Sequence, residues 1–281
     1  MTVAVQTQRN ILVDTRWVAD NLNRTGVKII EVDVDTSAYD TGHIPGALAF
    51  NWQSQLNHPV RRDILDKEAF EALMSQSGIG PDDALIFYGD NNNWFAAFAL
   101  WVCKIYGHEQ VYLMDGGRKK WELEGRPLST EKPPVTPTSY RAKDPDFSLR
   151  AYRDEILQRL SDSNLVLVDV RSPAEFTGEI MAPPGLPETA QRAGHIPGAR
   201  NIPWAMAVRE DGSFKSAEEL REIYQSRGVT PDKDVIAYCR IGERSSHTWV
   251  VLRYLLDYPR VRNYDGSWTE WGSIINAPIE K

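Results

Sequence analysis

IFYGDNNNWFAAFALWVCKIYGHEQVYLMDGGRKKW, residues 86–121, lies over IAYCRIGERSSHTWVVLRYLLDYPRVRNYDGSWTEW, residues 236–271, without a gap at an offset of 150. Tyr88 falls on Tyr238, Gly107 on Asp257, Asp115 on Asp265, Gly116 on Gly266 and Trp121 on Trp271. Upstream, GHIPGA stands at 42–47 and again at 194–199. A repeat of this length is a duplicated domain, since solenoid units run about 20–50 residues. The copies part where chemistry would sit: Cys239 in the second has Gly89 opposite it in the first.

Working outward, each copy alternates short apolar runs with longer amphipathic segments, the pattern of parallel strands joined by crossover helices in an α/β fold. Strands are predicted over 28–33, 84–88 and 111–114, and in the second copy over 165–169, 235–238 and 261–264. Ser216 with Glu219 forms a capping box, and Gly228 closes that helix; residues 66–78 are its counterpart. Between the copies, 127–150 carries five prolines and no apolar periodicity, the composition of an extended linker packed over the surface. The expected organisation is an N-terminal domain over 1–127, a linker over 128–150 and a C-terminal domain over 151–281. From VDV at 32 and 168 to the GHIPGA motifs the offset grows from 136 to 152, so the second copy holds 16 extra residues (152 − 136) in TGEIMAPPGLPETAQRAG, 177–194. That insert is expected to be irregular.

Composition narrows the function. With 42% hydrophobic and 25% charged residues, the chain of 281 is an ordinary globular one with room for two cores. A net charge of −7, with no long basic run, argues against a nucleic-acid partner, because neutralising phosphates needs a concentrated basic face. The longest apolar stretch, 94–106, is broken by Lys104 and too short to span a bilayer, and MTVAVQTQRN lacks the layout of a signal peptide. No membrane partner and a cytoplasmic location are therefore expected. Cys103, inside FALWVCKIY, reads as a buried small hydrophobe.

Cys239 reads differently. It follows the apolar run VIAY and precedes a helix whose apolar spacing is set by Trp249, Leu252, Leu255 and Leu256. A sulfur at the carboxyl end of a parallel strand stands where ligands bind in open α/β sheets. Loop amides, a helix N-terminus and the charges of Arg240 and Arg244 are conditions that lower a cysteine pKa from about 8.5 to roughly 3.5–7.5, so a thiolate is expected at neutral pH. Inward amides also make an anion cradle. Arg240, Ile241, Gly242 and Glu243 are the four residues between Cys239 and Arg244. Cysteine phosphatases hold phosphate in a longer loop, so this spacing favours a persulfide over a phosphoenzyme.

On VDVDTSAYDTGHIPGA, VDVRSPAEF, GHIPGARNIPW, CRIGERS and YDGSWTEW, the chain resembles the rhodanese superfamily, specifically its two-domain thiosulfate sulfurtransferases, from about Leu12 to Ile279. The resemblance implies two similar α/β domains, each a small parallel sheet with helices on both faces, with only the second active. It also implies double displacement. Cys239 takes the outer sulfur of thiosulfate, sulfite leaves, and the persulfide passes its sulfur to cyanide or a thiol, with thioredoxin-like or sulfur-acceptor proteins as possible takers. No cofactor or metal is implied. Arg244 is the expected holder of the sulfite end, with Arg240, Ile241, Gly242 and Glu243 completing the substrate-binding loop.

The chain departs from the family's vertebrate thiosulfate enzymes at two cations: Ile241 stands where a basic residue is expected, and Glu175 where an arginine is. Mercaptopyruvate enzymes carry a small, polar loop resembling CGSGVT, unlike CRIGER, which tilts the donor toward thiosulfate. The other readings are a mercaptopyruvate or pathway-specific sulfurtransferase and, from different classes, a cysteine phosphatase or arsenate reductase, or an inactive rhodanese-like binding module. Glu243 beside a dianion repels, so it is expected to point outward or pair with an arginine. His43 and His195 recur in both copies and read as structural, as does Asp169 with its twin Asp33. His247 is not expected to transfer protons, because a preformed thiolate needs no base.

Overall fold

The structure, a computed structural model, describes residues 11–183 and 189–281. The first ten residues and the 184–188 part of the predicted insert lie outside the described residues. The chain divides into two compact units: one runs to Asp146 and includes Glu210–Phe214, and the other holds Phe147–Arg209 and Lys215–Lys281.

The first unit contains β1 (Leu12–Val13), β2 (Val27–Asp33), β3 (Leu48–Asn51), β4 (Ala84–Tyr88) and β5 (Val111–Met114), all parallel, in the order β1-β5-β4-β2-β3. The second contains β6 (Leu165–Asp169), β7 (Arg200–Asn201), β8 (Asp234–Tyr238) and β9 (Val261–Tyr264), parallel in the order β7-β6-β8-β9. Both units are α/β, as expected from the alternation of apolar runs. β4 is buried at all five positions, the continuous apolar strand of a covered parallel sheet. The six predicted strands are present within one residue at each end. The short β1, β3 and β7 were not predicted, because two to four residues carry no measurable periodicity.

The predicted helix boundaries hold for physical reasons. Ser216 accepts from the Glu219 amide while Glu219 bonds back to the Ser216 amide, starting a helix over Ala217–Gln225. Asp66 caps Lys67–Gln76 in the first unit, and Gly78 and Gly228 leave both helices at positive φ.

The repeat extends to individual hydrogen bonds. The Tyr88 hydroxyl accepts from the Ile44 amide, and the Tyr238 hydroxyl from the Ile196 amide. Trp121 Nε1 donates to the Pro127 carbonyl and Trp271 Nε1 to the Pro278 carbonyl. His43 pairs through its backbone with Ser129, and His195 with Glu280. His43 also stacks on Tyr39 at 3.7 Å and His195 on Phe176 at 3.5 Å, each with Nδ1 on a backbone carbonyl. Both histidines thus lock the GHIPGA turn to its neighbours.

The proline-rich segment packs on the first unit by backbone bonds: Thr138 N–H to the Ser75 carbonyl, Lys143 N–H to Tyr106 and Asp146 N–H to Ile105. Of the predicted insert, the described part is anchored by Arg192. Its guanidinium donates to the carbonyls of Trp271, Gly272, Ile274 and Ala277 and so caps the end of the Ser267–Trp271 helix.

Candidate active site

Cys239 follows β8 directly, and the loop 239–242 feeds a helix over Glu243–Val250. The chain turns at Gly242, whose φ is 99°. A Cβ there would lie 2.8 Å from both Cα and Cβ of Asp265, so only glycine fits. That turn aims the Gly242 amide at the sulfur, 3.2 Å from Sγ, while the Ser245 hydroxyl donates from 3.7 Å. The loop is tied down at several points. Cys239 N–H donates to Ser267 Oγ at 3.0 Å, and its carbonyl accepts from the Trp268 amide. Asn263 donates to Ser246 Oγ and to the Gly242 carbonyl.

The sulfur is fully buried, and its third neighbour is a carboxylate: the thiol donates to Glu243 Oε2 at 3.3 Å. Burial pushes the thiol above its usual pKa, and the Glu243 charge pushes it further; Arg244 and the Ser245 donors pull the other way and lose. This corrects the expected thiolate, because the fold buries the sulfur and places the Glu243 carboxylate as well as Arg244 beside it. It also corrects the outward-pointing alternative for Glu243, which is 2% exposed with Oε1 3.5 Å from Arg244 Nε.

Arg244 is buried and forked onto Glu175, with NH1 at 2.9 Å from Oε2 and NH2 at 3.0 Å from Oε1. Burial alone would lower the arginine pKa, but Glu175, the Cys239 sulfur and Glu243 together raise it. For Glu175 burial works upward, and Arg244 outweighs it, holding the carboxylate below its usual range. Glu175, singled out as the place of an absent cation, is therefore the partner that orients the loop arginine. Arg240 and Ile241 are 5% and 3% exposed. His247 is buried on the same helix as Glu243, against Trp204, and burial drives its pKa down to about 3, so it stays neutral. Asp169 is fully buried and doubly paired with Arg171, a scaffold arrangement. Cys103 is a buried thiol that burial pushes up.

Cys239, Gly242, Glu243, Arg244 and Ser245 thus meet around one sulfur. Ser245, Ser267 and Asn263 escaped the sequence reading, although two carried a signal. VYLM in β5 becomes VRNY in β9, placing Asn263 where an apolar residue stood, and Gly117 becomes Ser267. A polar residue gained inside a duplicated core marks something that needs holding.

A profile of the rhodanese-like domain matches the chain twice, over residues 14–124 and 152–274. The chain belongs to the rhodanese family. Among its relatives, a protein of Saccharopolyspora erythraea provisionally named thiosulfate sulfurtransferase is 58% identical over 274 residues, covering 97% of each chain. The sulfur carrier protein TtuD of Thermus thermophilus is 54% identical over 275 residues, covering 96% of each. In fold, this rhodanese resembles EanB solved as a cysteine persulfide with ergothioneine, with TM-score 0.86, 24% identity, and 98% of this chain against 71% of that one. Among the described residues no helix is long and apolar enough to cross a membrane, and no group of three or more His, Cys, Asp or Glu could hold a metal ion.

Proposed function

We propose that this rhodanese is a thiosulfate sulfurtransferase that carries sulfane sulfur as a Cys239 persulfide and delivers it to cyanide or a thiol. The observation that carries the reading is the convergence of the Gly242 amide and the Ser245 hydroxyl on Cys239 Sγ. Donors fixed around a sulfur stabilise negative charge as it develops there, the electrostatics a persulfide requires. The short spacing from Cys239 to Arg244 keeps the cradle small, which favours one added sulfur over a tetrahedral phosphoryl group. Arg244, oriented by Glu175, brings its charge to the sulfite end of the donor, and Arg240, Ile241, Gly242 and Glu243 form the rest of the donor-binding loop. Two named relatives support the reading: the name of one points to thiosulfate as donor, and that of the other, a sulfur carrier, to sulfur held by the protein and passed on. The two-step route predicts ping-pong kinetics.

The test is intact-protein mass spectrometry after incubation with thiosulfate. The expected result is a gain of one sulfur atom that cyanide removes and that Cys239→Ser never acquires. If neither thiosulfate nor mercaptopyruvate loads the protein, the proposal is wrong. If mercaptopyruvate alone does, the donor assignment moves.

A further inference from the structure

The thiol–carboxylate contact sets a problem for that reaction. The nucleophile is a buried thiol with a raised pKa, yet an attacking sulfur must lose its proton. The charges facing it come from three directions. Arg240, Glu243 and Arg244 lie on its own loop and helix, and Glu175 reaches Arg244 from the Pro173–Phe176 helix. Asp265, beyond β9, is taken by Arg150 at 2.7 and 2.8 Å. With the thiol neutral, the Arg244 guanidinium stands between two carboxylates, those of Glu175 and Glu243, and Glu243 touches the sulfur. Releasing the proton to solvent would leave an uncompensated negative charge in a buried site that must also accept an anionic donor, a costly arrangement. Moving the proton 3.3 Å onto Glu243 leaves the charge of the loop unchanged.

We propose that Glu243 is a catalytic residue, the proton acceptor and later the proton donor of Cys239. This rests on the sulfurtransferase reading. In the first half-reaction the Cys239 proton passes to Glu243 Oε2 as Sγ bonds to the outer sulfur of thiosulfate. The S–S bond of thiosulfate breaks, and sulfite leaves with the bonding pair. The enzyme then holds a persulfide anion and a neutral Glu243. In the second half-reaction an acceptor thiolate bonds to the outer sulfur, and the Sγ–S bond breaks with its pair on Sγ. Glu243 returns the proton there, and the acceptor departs as a persulfide anion. Protons and electrons balance without any further reactant, and the enzyme returns to its starting form.

The experiment has two kinetic arms on wild type, Glu243→Gln and Glu243→Asp, each checked for folding by circular dichroism. Alkylation of Cys239 by iodoacetamide reads the proton transfer with no sulfur donor present; loading from thiosulfate reads it in the reaction. In both arms Glu243→Gln is expected to be about 100-fold slower at neutral pH, the usual size of a lost general base, with a rate that climbs in proportion to hydroxide. Wild type should vary little with pH, and Glu243→Asp should recover part of the loss. A Glu243→Gln variant as fast as wild type, or faster, overturns the proposal. In that case the carboxylate merely repels, and removing it eases ionisation. Should the variants fail to fold, infrared difference spectra of the wild type decide: persulfide loading must produce the carbonyl stretch of a protonated carboxyl group, and its absence overturns the proposal. If wild type never loads while the alkylation arm behaves as expected, the sulfurtransferase reading fails and the proton role of Glu243 stands.

Discussion

The loops after β4 and β8 share a frame and differ in what fills it. In both, the first loop residue offers its carbonyl to an amide from the turn after the last strand: Gly89 to Arg118 N–H at 3.2 Å, Cys239 to Trp268 N–H at 3.1 Å. The amide of that same residue needs an acceptor. In the second unit it is the Ser267 hydroxyl; in the first it is the Asn93 side chain, 3.0 Å from Gly89 N. Asn93 can fold inward because Gly117 stands in place of Ser267, where a Cβ would lie 2.4 Å from the asparagine oxygen. Three consecutive asparagines, 91 to 93, take φ of 50°, 54° and 64° to make that turn, a conformation asparagine tolerates better than most residues. The cation is relocated too. Arg118 in the first unit and Arg171 in the second donate to equivalent carbonyls, Gly42 and Gly194, from different elements of the fold. The first loop is therefore a refilled site whose space has been taken by its own side chains, and the inherited scaffold imposes no chemistry.

That contrast can be broken at the ion pairs first. Arg244→Leu should cost about 3–5 kcal/mol by leaving Glu175 and Glu243 buried without their cation, and Arg118→Leu should do the same to Glu31, which it holds at 2.9 Å. Denaturant titration of each variant reads the loss, and only Arg244→Leu should also abolish sulfur loading. If both variants keep wild-type stability, the pairs are not what holds the loops.

Replacing the missing thiol should fail. In Gly89→Cys the new Cβ would sit 2.4 Å from the Val32 carbonyl, so the variant should lose about 1–3 kcal/mol. Mass spectrometry should still find a single sulfur per chain; a second, cyanide-labile sulfur would show that the first loop is merely an eroded copy.

The twin aspartates sharpen the comparison through pH. Asp169 is doubly bonded to Arg171, whereas Asp33 is buried beside Asp90 and Glu31, and burial first, then those charges, lift its pKa to about 8. A raised carboxyl pKa means the folded state keeps a proton that the unfolded chain has released. Between the ordinary carboxylate pKa and about 8, stability therefore falls as pH rises, by at most about 1.4 kcal/mol per unit, and it levels off above that window. Asp33→Asn should flatten this slope and raise Tm more at the alkaline end than at the acidic end. An unchanged slope would show that Asp33 ionises normally.

The smallest expected effect is at Asn92, where glycine should relieve positive-φ strain and stabilise by no more than about 1 kcal/mol. Thermal melts of Asn92→Gly check it, and a destabilised variant would mean the side chain contributes more than its backbone costs.

The gapless repeat, the alternation of apolar runs with amphipathic segments and the Ser216–Glu219 cap sufficed to read duplication, parallel strands and the place of Cys239, because period and capping are local properties written along the chain, whereas the order of strands in each sheet is not. The state of the sulfur was not legible in the same way. Reading CRIGER as a run of charges placed cations around a thiolate, because sequence records which charges are near in the chain and not which face each other. Glu175 lies 69 residues from Arg244, and only folding brings it to the guanidinium. Burial raises the thiol pKa by removing water, and the same loss of screening strengthens the carboxylate 3.3 Å from Sγ, so together they outweigh the Arg244 charge. What the sequence determined by itself was a twice-built scaffold with one thiol at a strand end. Which groups that thiol faces, and therefore how it must lose its proton, was decided by long-range packing, since electrostatics in a buried site depends on distance and solvent exclusion.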